Sequence, residues 1–584
     1  MKQKKIYEEP IFDDYASSYN KDLYFPETGI ASAPVVIWRA DRNLGQIMSM
    51  PVIPQVVMLQ VNDDLYVKDE EGYAFCDLRD AVKLITPRSI PVFVVNEEIT
   101  ADYLISFLRE NFIADAFVCA SFKKRELIKY VCEAHPLLRG VLDFSDMTLG
   151  KDRIRKLSMI LAACHASVAL LSSQTARKSV IRYVQKRLCG VWIESESIVD
   201  EITRGSNGIV TPLYQKLYDL YELFPGPSVL KTTNLFSHRG LHITGEHPEN
   251  SLEGIVGACK AGLDGVEIDI HLSADEHMVV CHNASTGDLF DRDMVIQDAT
   301  LEELKTLRYK SGHPGTLPTL GEVLSAIKPY TDTILIIELK APDVVKAAKK
   351  CRDIIRNMGS ESQCVFIKGP KIPSLGHLRK AMPEIPAGYC VDTDSRVENT
   401  LAANKEVYWF CKTTPGWQAA YNTRYNRVNR MFQQYAGLRG IHVFPWSGTT
   451  EGNMHDTFLS GFDGMTINLV DLYMSLPIAL RSRKKNVVCR YAENGDKNTL
   501  FTAEATCVYR DGSSKKATKL NVLIVSGQKL VKHNGSYYAD QPGETMLLLQ
   551  SEIKLSEDIS YYIYSEPVSV TFVGDQDSGH MKAR

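Results

Sequence analysis

The 584-residue chain has no excess of either charge: 67 Lys and Arg stand against 71 Asp and Glu, a formal net charge of -4. Without a global positive field, nucleic acid is excluded as the main partner. There is no Cys-x-x-Cys among the 13 scattered cysteines, so neither a disulfide framework nor a thiolate zinc site is indicated. The opening residues, MKQKKIYEEPIFDDYASSY, lack the apolar core that a secretory signal needs. The longest apolar stretch, MILAACHASVALL from Met159, is too short to span a bilayer and is broken by His165 and Ser167. It reads as a buried helix. These absences predict a cytoplasmic protein with no transmembrane segment, although a chain relieved of a leader would look the same.

What is present is ordinary globular material. Hydrophobic residues make up 44% and charged residues 24%, which argues against disorder, collagen or coiled coil. At roughly 150 residues per domain the length implies several domains. From about Ala33 to Leu480, β-branched runs (VVIWRA, VVMLQV, IPVFVV, AFVCAS, GVEIDIHL, TILIIELK, CVFIKG) alternate with helix-like stretches. That alternation indicates parallel α/β architecture. One (β/α)8 barrel takes about 250 residues, so the span has room for nearly two. A repeat supports two: Gly205-Ser206-Asn207-Gly208 and Gly461-Phe462-Asp463-Gly464 share the form Gly-x-polar-Gly, and each is placed to close a barrel. AFVCAS followed by Pro136, Gly140 and Asp143 parallels CVFIKG followed by Pro383, Gly388 and Asp392. After about Lys485, period-two runs separated by Asp511-Gly512 and Asn534-Gly535 predict hairpins. The expected organisation is a tail (1–30), a first TIM barrel (31–225), a second (230–482) and a C-terminal all-β sandwich (486–580).

Polar residues that can do chemistry fall at strand ends in the second half. In GVEIDIHL, period-two geometry sends Val266, Ile268 and Ile270 to one face and Glu267 and Asp269 to the other. Two neighbouring carboxylates repel unless a cation lies between them, and hard oxygens suit Ca²⁺ or Mg²⁺; an acidic pair on a solvated strand face is the alternative. Glu338 and Lys340 share a face in TILIIELK, as a salt bridge over the barrel mouth or as a metal ligand and a phosphate contact. His238 and His282 each end an apolar run, where an imidazole can exchange protons near neutrality. His242, His247, His271, His277 and His313 read as structural. Gly240 and Pro248 argue against the helix that a His238/His242 zinc pair would need.

Taken together, His238-Arg239-Gly240, Pro248-Glu249-Asn250-Ser251, Glu267-Ile268-Asp269, His282, Leu317-Pro318-Thr319-Leu320 and Glu338-Leu339-Lys340 resemble the glycerophosphodiester phosphodiesterase family over roughly residues 230–480. Glu267 lies 29 residues after His238, and His282 lies 15 after Glu267. The resemblance implies a TIM barrel with Glu267, Asp269 and Glu338 holding one divalent cation, Ca²⁺ or Mg²⁺, at the C-terminal mouth. It implies His238 and His282 as acid and base, and Arg239 and Lys340 on phosphate oxygens. Glu249 or Asn250 would support the first loop, with Trp446 at the substrate side. The implied reaction is hydrolysis of a glycerophosphodiester to glycerol 3-phosphate and an alcohol. Asn283 departs from the pattern, which often has Asp after the second histidine, and Ser447 stands where Thr is common. The segment Thr413–Gly440 reads as shaping the leaving-group side or as a plain amphipathic helix.

The first half resembles a degenerate copy. Trp38-Arg39-Ala40 stands for His238-Arg239-Gly240, Val57 and Leu59 for Glu267 and Asp269, and Val94 or Asn96 for Glu338, so no metal site is expected there. Its roles would be to pack against the active barrel, rim its cleft or bind a polymer. Two alternatives remain: a phospholipase C- or D-like lyase of the same superfamily, and a binding or scaffold protein whose β-sandwich contacts carbohydrate or polymer.

Overall fold

A computed structural model describes residues 22–242, 247–369, 372–391, 397–414, 419–447, 451–490 and 500–574. Asp392 and most of the N-terminal tail lie outside these. In the first half, β1 (Val35–Arg39), β2 (Val56–Val61), β3 (Ile90–Val94), β4 (Phe117–Ser121), β5 (Arg139–Phe144), β6 (Ala166–Ser172), β7 (Gly190–Glu194) and β8 (Gly208–Val210) form a parallel sheet that closes through β1–β8 and β1–β2 pairing. Alternate residues divide the strands into two layers. Ile37, Val56, Met58, Val92 and Trp192 face the barrel axis, whereas Val36, Val57, Leu59 and Phe93 pack with helix residues such as Leu104 and Val131.

The second half repeats the arrangement. β9 (Asn234–His238), β10 (Gly265–Leu272), β12 (Ile334–Leu339), β13 (Cys364–Lys368), β14 (Ala387–Val391), β15 (Ala420–Arg424), β16 (Val443–Trp446) and β17 (Gly464–Ile467) run parallel, and the short β11 (Met278–Val280) pairs antiparallel with β10. Among the described residues no ladder joins β16 to β17, so this barrel is nearly closed. Phe236, Ile336, Val365 and Phe444 fill its interior.

The barrels pack through their N-terminal faces. Leu188, in the turn before β7, belongs to the interior cluster of the second barrel. Arg187 donates to the carbonyl of Ser362, before β13, at 2.8 Å. A Cβ on Gly190 would come within 2.6 Å of His442, before β16. Asn207 and Asp463, just before β8 and β17, are hydrogen-bonded at 3.0 Å. The two C-terminal mouths therefore open on opposite ends, and the first barrel floors the second without rimming its cleft.

Among the described residues the C-terminal strands form three small sheets. The first of these strands, Pro477–Ser482, pairs with Ala505–Tyr509 inside the range expected for the second barrel. His533 and Ser536 pair across Asn534-Gly535, both at positive φ, as a two-residue hairpin demands. Asp264 ties the three parts together, accepting from Arg182 of the first barrel at 2.6 Å and from Arg510 of the C-terminal strands.

Two local expectations are corrected. MILAACHASVALL is not one helix: a helix ends at Ala163, His165 takes φ +58, and β6 begins at Ala166. Its second half is β-prone and completes the first barrel. Thr413–Gly440 is not one helix either, since it contains strand β15 and the helix Arg430–Leu438; residues 415–418 lie outside the description.

Candidate active site

The acidic pair of β10 converges because the strand alternates. Val266, Ile268 and Ile270 pack outward in the helix-facing core, so Glu267 and Asp269 point into the mouth. Parallel pairing sets Asp269 beside Glu338 of β12 and Glu267 beside His238 of β9. Glu267, Asp269 and Glu338 each offer an oxygen within 4.8 Å of the others. Burial, with the like charges of Asp269 and Glu338, drives the Glu267 carboxyl well above its ordinary pKa. Such a set is unfavourable alone and suits a hard divalent cation.

Two cationic side chains lie on these acids. Lys340 Nζ is 2.9 Å from Glu338 and 3.4 Å from Asp269. Arg239 Nε is 3.4 Å from Asp269, while its Nη1 binds Glu249 at 2.9 Å. Burial opposes charge on both, but the surrounding carboxylates outweigh it and raise both pKa values.

The Pro248–Ser251 motif has a separate task for each polar residue. Glu249 anchors Arg239, Asn250 Nδ2 donates to Asp269 Oδ2 at 3.1 Å, and Ser251 caps the helix Leu252–Lys260 by accepting from Gly254. Arg239 and Asn250 adopt φ +56 and +57, a strained backbone of the kind found at functional sites. In Leu317–Leu320, Thr319 forms a capping box with Glu322 at the helix Leu320–Ile327.

His238 ends β9 with Nδ1 at 2.9 Å from Asn468 Oδ1. An amide oxygen only accepts, so Nδ1 carries the hydrogen and Nε2 is left as the basic atom. Burial, reinforced by Arg239, pushes its pKa down to about 4, which keeps the ring neutral. His282 follows β11 next to the end of β10: Cys281 N donates to Asp269 O at 3.0 Å, and His271 Nε2 donates to His282 O at 3.1 Å. His282 Nδ1 meets Asn283 Oδ1 at 2.7 Å. Trp446 ends β16 at the same mouth, with the Arg424 guanidinium 5.6 Å above its ring.

The sequence points to no role for Asn468, and to Arg424 only as part of the Thr413–Gly440 segment. Both end or follow strands at the mouth, which is the signal that could have found them. Among the histidines read as structural, His247 and His313 pair with each other at 3.2 Å.

In the first barrel the counterparts of His238, Glu267 and Asp269 sit one residue away from those expected, whereas Val94 stands where expected. Trp38, Val57 and Leu59 lie in the helix-facing layer. Pairing of Ile37 with Val56 corresponds to Phe236 with Gly265. Arg39, Met58 and Gln60 therefore stand where the second barrel has His238, Glu267 and Asp269, and Val94, opposite Gln60, stands where it has Glu338. Arg39 is engaged by Glu194 at 3.0 Å and lies 3.7 Å from Asp143. An ion-paired arginine occupies this mouth.

The profile of the Glycerophosphoryl diester phosphodiesterase family matches residues 238–472. A glycerophosphodiester phosphodiesterase of Caldanaerobacter subterraneus is 25% identical over 240 residues, covering 40% of this chain and 93% of that protein. Glycerophosphodiester phosphodiesterase 1 of Bos taurus is 30% identical over 189 residues, 29% of this chain and 52% of that protein. A crystal structure of the Thermotoga maritima glycerophosphodiester phosphodiesterase, 26% identical, superposes with a TM-score of 0.32 over 41% of this chain and 96% of that one. Through its second barrel, the chain resembles the glycerophosphoryl diester phosphodiesterase family.

Proposed function

We propose that the second barrel hydrolyses glycerophosphodiesters to glycerol 3-phosphate and an alcohol, with one divalent cation, Ca²⁺ or Mg²⁺, held by Glu267, Asp269 and Glu338. The observation that carries this reading is the meeting of those three carboxylates at one mouth with His238 in register beside them. Charge supports it. With Glu249 counted beside Glu267, Asp269 and Glu338, four carboxylates stand against Arg239 and Lys340, and the two negative charges left when all four are ionised match one divalent cation. When bound, the cation supplies Lewis-acid stabilisation of charge developing on the phosphoryl oxygens. Arg239 and Lys340 are then free to turn from the carboxylates to phosphate oxygens, adding fixed donors to the transition state.

His238 is the proton acceptor, since it is neutral with Nε2 unprotonated. It takes the proton of the neighbouring glycerol hydroxyl, whose attack closes a cyclic phosphate as the bond from phosphorus to the alcohol breaks and gains from proximity; water then opens the ring to glycerol 3-phosphate with the two histidines in exchanged roles. His282 gives a proton to the departing alcohol. Trp446 and Arg424 line the side on which the alcohol sits. Among the described residues no helix is long and apolar enough to cross a membrane. A carbohydrate contact through the C-terminal strands has no support; their observed contacts join the two barrels.

Incubation of the full chain with glycerophosphocholine, glycerophosphoethanolamine and glycerophosphoglycerol tests the reading. Glycerol 3-phosphate release that requires added Ca²⁺ or Mg²⁺, and is lost with Glu338→Gln, is expected. Undiminished release under strong chelation would contradict the cation's role.

A further inference from the structure

We propose that Asp288 is a positioning residue that fixes the tautomer of His282 through the side-chain amide of Asn283. The inference rests on the proton-transfer role given to His282 above. Asn283 bridges the two: Oδ1 lies 2.7 Å from His282 Nδ1, and Nδ2 donates to Asp288 Oδ2.

The logic is one of donors and acceptors. An ionised carboxylate only accepts, so Asp288 selects the NH₂ end of the amide. The carbonyl end is thereby turned to the imidazole, and because that oxygen also only accepts, Nδ1 must carry the hydrogen. In the neutral ring the lone pair is then on Nε2, the atom that binds and gives up the catalytic proton. A reversed amide would present NH₂ to Nδ1 and move the ring hydrogen to Nε2, leaving the neutral ring unable to accept there. An aspartate at 283 would need no such relay; with asparagine at 283, a second residue must decide which way the amide faces.

The local chain holds Asp288 in place. Gly287 N donates to Asp293 Oδ1 at 2.9 Å, Thr286 Oγ1 donates to the carbonyl of Arg292 at 2.8 Å, and Leu289 N donates to Thr286 O at 3.2 Å. From the other side, the His271 ring fixes the backbone carbonyl of His282. The imidazole is thus oriented at both its main chain and its Nδ1.

The test combines turnover with a direct reading of the ring. With glycerophosphocholine and saturating cation, Asp288→Ala is expected to lower kcat about 10-fold with KM nearly unchanged. Asp288→Asn, whose carbonyl can still accept, should retain most of the activity. In an Asn283→Asp background, where a carboxylate meets Nδ1 directly, Asp288→Ala should cost nothing. Equal losses in both backgrounds, or no loss with Asn283 present, would overturn the proposal. Long-range ¹H–¹⁵N spectra of the full chain labelled at histidine nitrogen give the tautomer without reference to turnover. His282 should show hydrogen at Nδ1 in the wild type and a mixture in Asp288→Ala. An unchanged tautomer overturns the relay. A shifted tautomer in a protein that hydrolyses no glycerophosphodiester keeps the relay and discards the hydrolase reading.

Discussion

Asn207 donates from Nδ2 to Asp463 Oδ1 at 3.0 Å across the junction of the two barrels, 256 residues apart in sequence. The two occupy the same place in the Gly-x-polar-Gly repeat, so the repeat units touch each other. The glycines are reciprocal too: Gly205, at φ +79, packs against Leu230 and Lys231 before the second barrel, and Gly461, at φ +73, against Ala31 and Ser32 before the first. A side chain at either would collide or strain the left-handed backbone.

Asp463 is the keystone of this junction. It also accepts from Lys231 at 3.0 Å, and Lys231, with His442, holds its carboxyl far below the ordinary range despite burial. Asp463→Asn leaves Lys231 buried without its counter-charge and should cost about 3–5 kcal/mol. Asn207→Ala removes three hydrogen bonds, to Asp463 and from Gln185 and Val191, but strands no charge, and should cost about 1–3 kcal/mol. Urea unfolding followed by tryptophan fluorescence distinguishes the two; similar small losses would show that the buried charge is not what the junction depends on.

His238→Ala and His282→Ala should each reduce turnover by about 10²-fold or more. Each should leave no residual cation-dependent activity attributable to the first barrel, where Arg39, Met58, Gln60 and Val94 replace the histidine and carboxylates. Steady-state glycerol 3-phosphate release from each variant is the measurement. Activity surviving both substitutions together would place a second site in the molecule.

Leu188 belongs to the first barrel by sequence and to the interior of the second by contact. Truncation to alanine opens a cavity beneath β9 and β12, and about 2–5 kcal/mol of stability should be lost. The mouth lies at the far end of those strands, so kcat should stay within a few-fold of wild type. A large loss of kcat at retained stability would mean that the floor is coupled to the site.

Much of the site was legible because strand periodicity is local. Glu267, Asp269 and Glu338 could be placed on one face by counting in twos, and the capping and glycine positions were readable from short motifs. The same counting misled in the first barrel, where aligning Trp38 on His238 put hydrophobic residues of the outer layer in place of inward ones. Side-chain chemistry alone does not reveal which face is the interior when both layers are apolar. Contacts between distant segments were beyond reach for another reason. Leu188 in the second core, Arg510 on Asp264 and Arg439 on Asp115 join residues separated by hundreds of positions, and no local pattern encodes them.

Acid sensitivity follows from two histidines of the first barrel. Burial pushes His135 and His165 down to about 4, from an ordinary value of 6.5. Between those values the unfolded chain binds protons that the folded chain refuses, so stability is fully present above about pH 6.5 and declines as pH falls toward 4. Raised buried acids such as Glu267 and Glu201 act in the opposite direction, losing stability as pH rises, so the imidazoles must be isolated by comparison. The double variant His135→Gln/His165→Asn serves, because asparagine tolerates the φ of +58 at position 165. Urea midpoints measured from pH 7 to 4.5 should fall more steeply for the wild type than for this variant. Parallel curves would mean that neither imidazole is held neutral by the fold.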